Sequence, residues 1–285
     1  ETADGTEMSL NDILERSKLS NRDCCNLINF GTQIDLPVFF TVFDIDSATY
    51  MKSINQKIIK VASMDANNLP LHKKINSLGF KSIIISSGMT DYKELKRSLS
   101  VYDSDQEILI MSCRSTYPAR LEDVDLGEIK FLKNSMPYEI GYSDHTEGKL
   151  VSLLAVSSGA TFIERHFTTD KTLPGPDNKI SINSQETLEL SILMQQVSSS
   201  IKNKRKIIHS SEQSTFSMQK KSMRFPKKLK KGDCIYTDEM SFLAPPIGYN
   251  YFQASMPNTL LKVTKDVDKD EPVTEENVLI IEEAK

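Results

Sequence analysis

The chain of 285 residues is long enough to bury the core of one large domain, or of a large and a small one. With 35 Lys and Arg against 39 Asp and Glu it carries a formal net charge of -4, so there is no global electrostatic attraction to nucleic acid or to an anionic membrane. Cys24, Cys25, Cys113 and Cys234 form neither a disulfide framework nor a zinc pattern, and no apolar stretch approaches the roughly 20 residues that span a bilayer, so a reduced cytoplasmic protein acting on small molecules is expected.

In chain order, residues 9–33, SLNDILERSKLSNRDCCNLINFGTQ, read as two short helices, with Ser20 and Asp23 spaced as a capping box. Six β-rich runs follow: VFFTVFD (38–44), KIIKVAS (57–63), SIIISSG (82–88), EILIMSC (107–113), EIGYSDH (139–145) and ATFIERHF (160–167). Each is continuous enough in apolar residues to be buried on both faces, as parallel strands are. Amphipathic stretches such as SATYMKSINQ, NLPLHKKINSLG and KLVSLLAVSSG lie between them, two closed by a glycine in C-cap position. Strand and helix alternating in this way predict right-handed βαβ units and a parallel sheet.

Beyond about residue 197 the texture changes. Residues 198–217 are polar and read as a linker, and residues 218–285 carry short strands punctuated by Gly and Pro, a small β-rich domain. The basic run KKSMRFPKKLKKG (220–232) contains a single aromatic, Phe225, and reads as a solvated face more readily than as a nucleic-acid surface.

In all six runs the polar or reactive residues gather at the C-terminal end: Thr41, Ser63, Ser86, Ser115 with Tyr117, His145 and His166. Ligands of barrels and open α/β sheets bind at that edge. Alternation puts Ser143 and His145 on one face of a strand, and Glu164 and His166 on one face of the next. Two imidazoles in register on adjacent strands suit a divalent transition metal with open positions left for substrate and water, although a lone histidine at a strand end more often hydrogen-bonds a neighbouring loop.

Lys60, Ser63, Ser86, Ser115 and Thr41 supply ammonium and hydroxyl donors to the same rim, a ring suited to phosphate or carboxylate. Each hydroxyl alone is more readily a simple strand-end cap, and only their convergence argues for a ligand. Lys60 and Ser63 differ in parity, so one must lie beyond the regular pleat if both face a ligand. In KTLPGPDNK (171–179) a rigid turn presents Asp177, placed to bind substrate hydroxyls or to act only as a turn residue.

KVASMDANNLPL, IIISSGM, STYPARLEDVDL, GYSDHTEG, FIERHFT and LPGPDN, in that order, closely resemble the N-acetylneuraminate (sialic acid) synthases. The tail, KLKKGDCIYTDEM with LLKVTKDVDKDEPVTEENV, is similar to their C-terminal SAF, or antifreeze-protein-like, domain. The resemblance implies a (β/α)8 TIM-type barrel domain over residues 1–197 and a β-clip SAF domain over residues 218–285. It implies a transferase that condenses phosphoenolpyruvate with N-acetylmannosamine or its 6-phosphate and releases phosphate. Relatives make legionaminic, pseudaminic and spore-coat sugars instead. A manganese or magnesium ion held by His145 and His166 is implied, as is a homodimer in which each small domain covers its partner's barrel mouth. On the same basis Thr41, Lys60, Ser63, Ser86, Ser115 and Ser143 are assigned to phosphoenolpyruvate. Asp65, Tyr117 and Asp177 are assigned to the sugar, Asp65 standing where a Glu is common.

The sequence also departs from the family pattern. It opens at Glu1, and the family's first two βα units, with AEIGxNHxG-like and KFQ-like strands, do not occur in it, so a fragment or truncated product without activity of its own is expected. FLAPPIG replaces a KRPG-like segment and puts Ala244 near its Arg, while SCRS replaces HCTS and places Arg114 beside the site.

Overall fold

The structure, a computed structural model, describes residues 17–173, 175–201, 206–250 and 258–281, together with Ser9, Asp12 and Glu15. The chain forms two compact units, Glu1–Lys202 and Asn203–Lys285.

In the first unit, strands β1 (Phe40–Val42), β2 (Ile58–Val61), β3 (Ser82–Ser86), β4 (Glu107–Cys113), β5 (Glu139–Asp144) and β6 (Ile163–Arg165) lie in one sheet in sequential order, every neighbouring pair parallel. Each falls within one of the six buried runs. The sheet is strongly curled. Lys60 on β2 and Glu164 on β6 are in contact at 2.6 Å, whereas four steps across a flat sheet, at about 4.8 Å each, would hold their backbones roughly 19 Å apart. The result is the half-barrel of a TIM-type fold.

Alternation along the strands assigns the two faces. Ile59, Val61, Ile83, Ile85, Ile110, Ile140 and Tyr142 join the apolar core with Leu71 and Ile75, Leu95 and Leu99, Ile129 and Leu132, and Val151 and Ala155. These last four pairs come from helices α3 (Leu69–Leu78), α4 (Tyr92–Leu99), α5 (Gly127–Ser135) and α6 (Leu150–Ser157). Residues of the other parity, among them Thr41, Lys60, Ser86, Ser143 and Glu164, line the concave side.

The helix boundaries follow local chemistry. Helix α1 (Asn21–Gln33) opens with the expected capping box, Ser20 accepting from the Asp23 amide and Asp23 from the Ser20 amide. The helix expected before it falls largely outside the described residues. Helix α2 (Ile45–Ser53) is capped by Asp44. Helix α3 has Asn68 as its cap and Pro70 in its first turn, and ends at Gly79, whose φ of 65° is the left-handed conformation that glycine adopts without strain. Helix α7 (Ser184–Ser200), which packs against α6, closes the segment read as the barrel domain and runs only into the start of the stretch read as a linker, while a short helix α8 (Gln213–Gln219) lies mostly within that stretch. The serines and charges there had masked α8.

The second unit is β-rich. Strands β8 (Cys234–Tyr236), β10 (Leu260–Val263) and β11 (Val278–Ile281) form one antiparallel sheet with β10 central, and β7 (Ser222–Arg224) pairs with β9 (Ser241–Leu243). Its core comprises Met223, Phe225, Leu229, Ile235, Leu261, Val263 and neighbours. Phe225 is thus a core residue and not a surface stacking platform, while Lys228 pairs with Asp268 and Lys230 with Asp266, as a solvated face would. Among the described residues no helix is long and apolar enough to cross a membrane.

Candidate active site

A cavity of about 570 Å³ opens at the carboxyl edge of the curled sheet. Thr41, Lys60, Ser63, Ser86, Ser115, Tyr117, Ser143, His145 and His166, separated by up to 125 positions in sequence, share its wall. Of the residues anticipated there, Asp65 and Asp177 are not on that wall. Asp65 lies in the 3-10 turn Ser63–Asp65 and accepts a hydrogen bond from Asn68 at 2.9 Å. Asp177 stands behind His166, its carboxylate 3.6 Å from Nδ1. The parity conflict between Lys60 and Ser63 resolves as the sequence required, because β2 ends at Val61 and Ser63 begins the turn beyond the pleat.

The anion-binding side is built from donors that the fold leaves available. Ser86 Oγ is buried and makes no hydrogen bond among the described residues, an arrangement that costs free energy unless a ligand completes it. Ser63 Oγ accepts from the Gly88 amide at 3.2 Å and lies 3.2 Å from Cys113 Sγ. Gly88 must be glycine for a packing reason: a Cβ there would fall 2.2 Å from Ser115 Oγ and 2.9 Å from Ser63 Oγ. Three strand-end loops therefore converge on one point.

The imidazoles line the same cavity. The rings of His145 and His166 have centroids 5.4 Å apart, and Tyr117 lies against both, at 4.3 and 5.7 Å. His145, 6% exposed, donates from Nδ1 to the Arg114 carbonyl at 2.8 Å. That bond leaves Nε2 as the unprotonated nitrogen, the usual second-shell arrangement of a metal-ligating histidine. Burial pushes the His145 pKa down, outweighing the Arg114 carbonyl, and the neighbouring His166 adds to the fall. The donor set fits a divalent cation to the extent of two imidazoles. Among the described residues no cluster of three or more His, Cys, Asp or Glu surrounds the pair.

Glu164, absent from the residues anticipated for the site, ties its two halves together. It accepts from Lys60 Nζ at 2.6 Å and from Ser143 Oγ at 2.7 Å. Burial alone would raise its pKa, but the Lys60 ammonium and the Ser143 hydroxyl outweigh that, and the net displacement is downward. Its two-residue offset from His166 had placed it on the same face of the strand, but without a role. Cys113 had no sequence signal, since only the curl of the sheet brings it beside Ser63. Arg114 is exposed and off the cavity wall, its charge acting on Glu128 and Asp123. Ala244 lies on an exposed loop of the second unit, where Arg224 donates to the carbonyl of Pro245 at 2.7 Å.

A family model described as NeuB family matches residues 1–206. The chain belongs to the NeuB family. Its members are sugar-acid synthases, and the likeness extends to individual relatives. This NeuB chain is 33% identical over 240 residues to the N,N'-diacetyllegionaminic acid synthase of Campylobacter jejuni, covering 83% of this chain and 72% of the relative. It is 36% identical over 157 residues to the N-acetylneuraminate-9-phosphate synthase of Drosophila melanogaster, covering 53% of this chain and 42% of the relative. Among solved structures, the sialic acid synthetase of Leptospira borgpetersenii in complex with citrate superposes with a TM-score of 0.68 at 29% identity, covering 72% of each chain.

Proposed function

We propose that this NeuB-family chain condenses phosphoenolpyruvate with the open-chain aldehyde of an N-acylated amino sugar, N-acetylmannosamine or its 6-phosphate, to give N-acetylneuraminate or its 9-phosphate with release of phosphate. The observation that carries the reading is one shared wall: an ammonium and a set of hydroxyls, one of them buried without a hydrogen-bond partner among the described residues, line the same cavity as two imidazoles, with room for two small substrates.

Lys60, Ser63, Ser86 and Ser115 hold the phosphate, with Thr41 and Ser143 completing the donor set for phosphoenolpyruvate. His145 and His166 would hold a divalent ion, manganese or magnesium, whose chemistry is to draw electron density from the aldehyde oxygen. Tyr117 borders the sugar and keeps its phenol protonated, burial holding its pKa above the ordinary value. Asp177 is near enough to His166 to orient that ring or to accept a sugar hydroxyl. C3 of phosphoenolpyruvate bonds to the aldehyde carbon, a water adds at C2, and the C2–O bond breaks to free phosphate. Such a site places positive charge where the aldehyde oxygen gains electron density and where phosphate departs.

A second acceptor, of the diacetylated legionaminic type, is favoured by the longer span of likeness to legionaminic acid synthases, 83% of this chain against 53–55% for the neuraminate-9-phosphate synthases. Incubation of the protein with phosphoenolpyruvate, manganese and each acceptor separately, with phosphate assay and mass spectrometry of the product, decides between them. Absence of phosphate release with every acceptor, from a folded protein that binds manganese, would leave a sugar-binding chain without catalysis.

A further inference from the structure

Strand alternation sets Asp144 and Arg165 on the other face of β5 and β6 from Ser143 and Glu164, where they form a buried ion pair, and Arg165 also borders the cavity. Asp144 and Arg165 are register partners in the β5–β6 ladder, and each immediately precedes a histidine, His145 and His166. Arg165 Nη1 is 2.5 Å from Asp144 Oδ2, with the carboxylate wholly buried and the arginine side chain 5% exposed. The carboxylate also accepts from the Thr146 amide at 2.9 Å, Thr146 Oγ1 at 2.7 Å and Ser152 Oγ at 2.5 Å. Arg165 Nη2 donates to the Thr146 carbonyl at 2.9 Å.

Both histidines stand just past the last rung of the ladder, which ends at Asp144↔Arg165. Their own backbone bonds lead to two different loops, the His145 carbonyl accepting from Ala119 and the His166 carbonyl from Ile182. Neither bond sets the spacing of one imidazole relative to the other. The Asp144–Arg165–Thr146 network spans the two strand ends alongside the Ser143–Glu164 bond of the cavity face, and it tethers the chain on both sides of His145 to the residue before His166.

The pair is also poorly arranged for stability. A buried ion pair is weak grounds for a stability role, and both Arg165 Nε and Nη1 are buried with no hydrogen-bond partner among the described residues, so Nη1 meets Asp144 as a charge contact only. What such a network supplies is geometry. We propose that Asp144 and Arg165 are positioning residues that fix the separation and tilt of His145 and His166, and thereby the affinity of the site for a divalent cation. The inference rests on the proposed role of the two histidines. Supporting groups behind metal ligands typically change metal affinity by about 10–100-fold when removed.

The test is titration of the full chain with Mn²⁺ alone, followed by electron paramagnetic resonance of the free ion, beside titration with inorganic phosphate in the absence of metal. Arg165→Gln is expected to weaken Mn²⁺ at least about tenfold while phosphate affinity stays within about twofold, since Lys60, Ser63, Ser86 and Ser115, which hold the phosphate, lie on or just beyond β2, β3 and β4. Arg165→Lys, which keeps the charge, should recover most of the loss. A folded Arg165→Gln protein with wild-type Mn²⁺ affinity, or with equal losses for Mn²⁺ and phosphate, overturns the inference. Where Arg165→Gln does not fold, Ser152→Ala and Thr146→Val trim the same carboxylate's partners, and wild-type Mn²⁺ affinity in both overturns it. Mn²⁺ affinity that is unaffected by His145→Ala and His166→Ala, or that is absent from the wild type, would instead sink the reading of the histidines, and this inference with it.

Discussion

Lys60 and Glu164, 104 residues apart in sequence and on the second and sixth strands of the sheet, form a 2.6 Å ion pair across the cavity. The pair marks where the sheet has curled enough to make a cup, and it neutralises the ammonium proposed to hold phosphate. A dianion entering the cavity must compete with Glu164 for Lys60.

That competition has a sign. Glu164→Gln is expected to bind inorganic phosphate roughly 3–10-fold more tightly than wild type, and Lys60→Met at least about tenfold more weakly, because charge-assisted bonds dominate such a site. Isothermal titration measures both. Equal weakening in the two variants would mean that Glu164 builds the anion site and does not oppose it.

Ser86 carries a hydroxyl that is buried and makes no hydrogen bond among the described residues. Removing an unsatisfied buried group relieves about 1–3 kcal/mol of desolvation penalty. Ser86→Ala should therefore unfold at equal or higher urea concentration than wild type while binding phosphate several-fold more weakly. A variant that loses stability and retains affinity would show a packing role for this serine.

Gly88 is closed in by the anion-binding groups, with Ser115 Oγ, Cys113 Sγ and Ser63 Oγ 2.2, 2.8 and 2.9 Å from the position of an added Cβ. Gly88→Ala must push those groups aside, at a stability cost of about 1–3 kcal/mol, and at least about tenfold of phosphate affinity should go with them. Manganese binding, which depends on β5 and β6, should change little. Paired titrations with the two ions separate the outcomes, and undiminished phosphate affinity would remove Ser63 and Ser115 from the phosphate site.

His72 supports the turn that presents Ser63. It is fully buried, with Nε2 3.0 Å from the Ala66 carbonyl and Nδ1 2.6 Å from the Tyr102 hydroxyl. Burial drives its pKa below the ordinary 6.5, with the Ala66 carbonyl opposing the fall. A histidine depressed in the folded state binds its proton more readily when unfolded. Its contribution is therefore intact above about pH 6.5 and is lost as pH falls below that value towards the folded pKa, by up to about 1.4 kcal/mol per pH unit. Urea denaturation from pH 7.5 to 5 should show a steeper loss in wild type than in His72→Gln. Parallel curves would show that His72 does not titrate differently on unfolding.

The six strands were legible because a strand buried on both faces needs an unbroken apolar run, and Ile83 to Ile85 or Ile108 to Met111 can be little else once β-branched residues and flanking turns are counted. The partnership of His145 and His166 was legible for a similar reason. Alternation fixes the face, and consecutive parallel strands are neighbours. Helices α7 and α8 were harder to read, since Ser184–Ser200 buries only Leu190 and Gln213–Gln219 buries nothing, so neither needs a periodic apolar stripe.

Local sequence thus determined the order of the strands, the edge at which chemistry collects and the two imidazoles, all of which follow from periods of two and from chain connectivity. Only the tertiary structure decided that Glu164 reaches Lys60, that Cys113 sits beside Ser63, that Asp65 turns to Asn68 and that Arg165 locks onto Asp144. Those relationships depend on how far the sheet curls and on which way each side chain leaves a strand end. Such angles are set by the packing of all the helices against the sheet together, and no single segment encodes them.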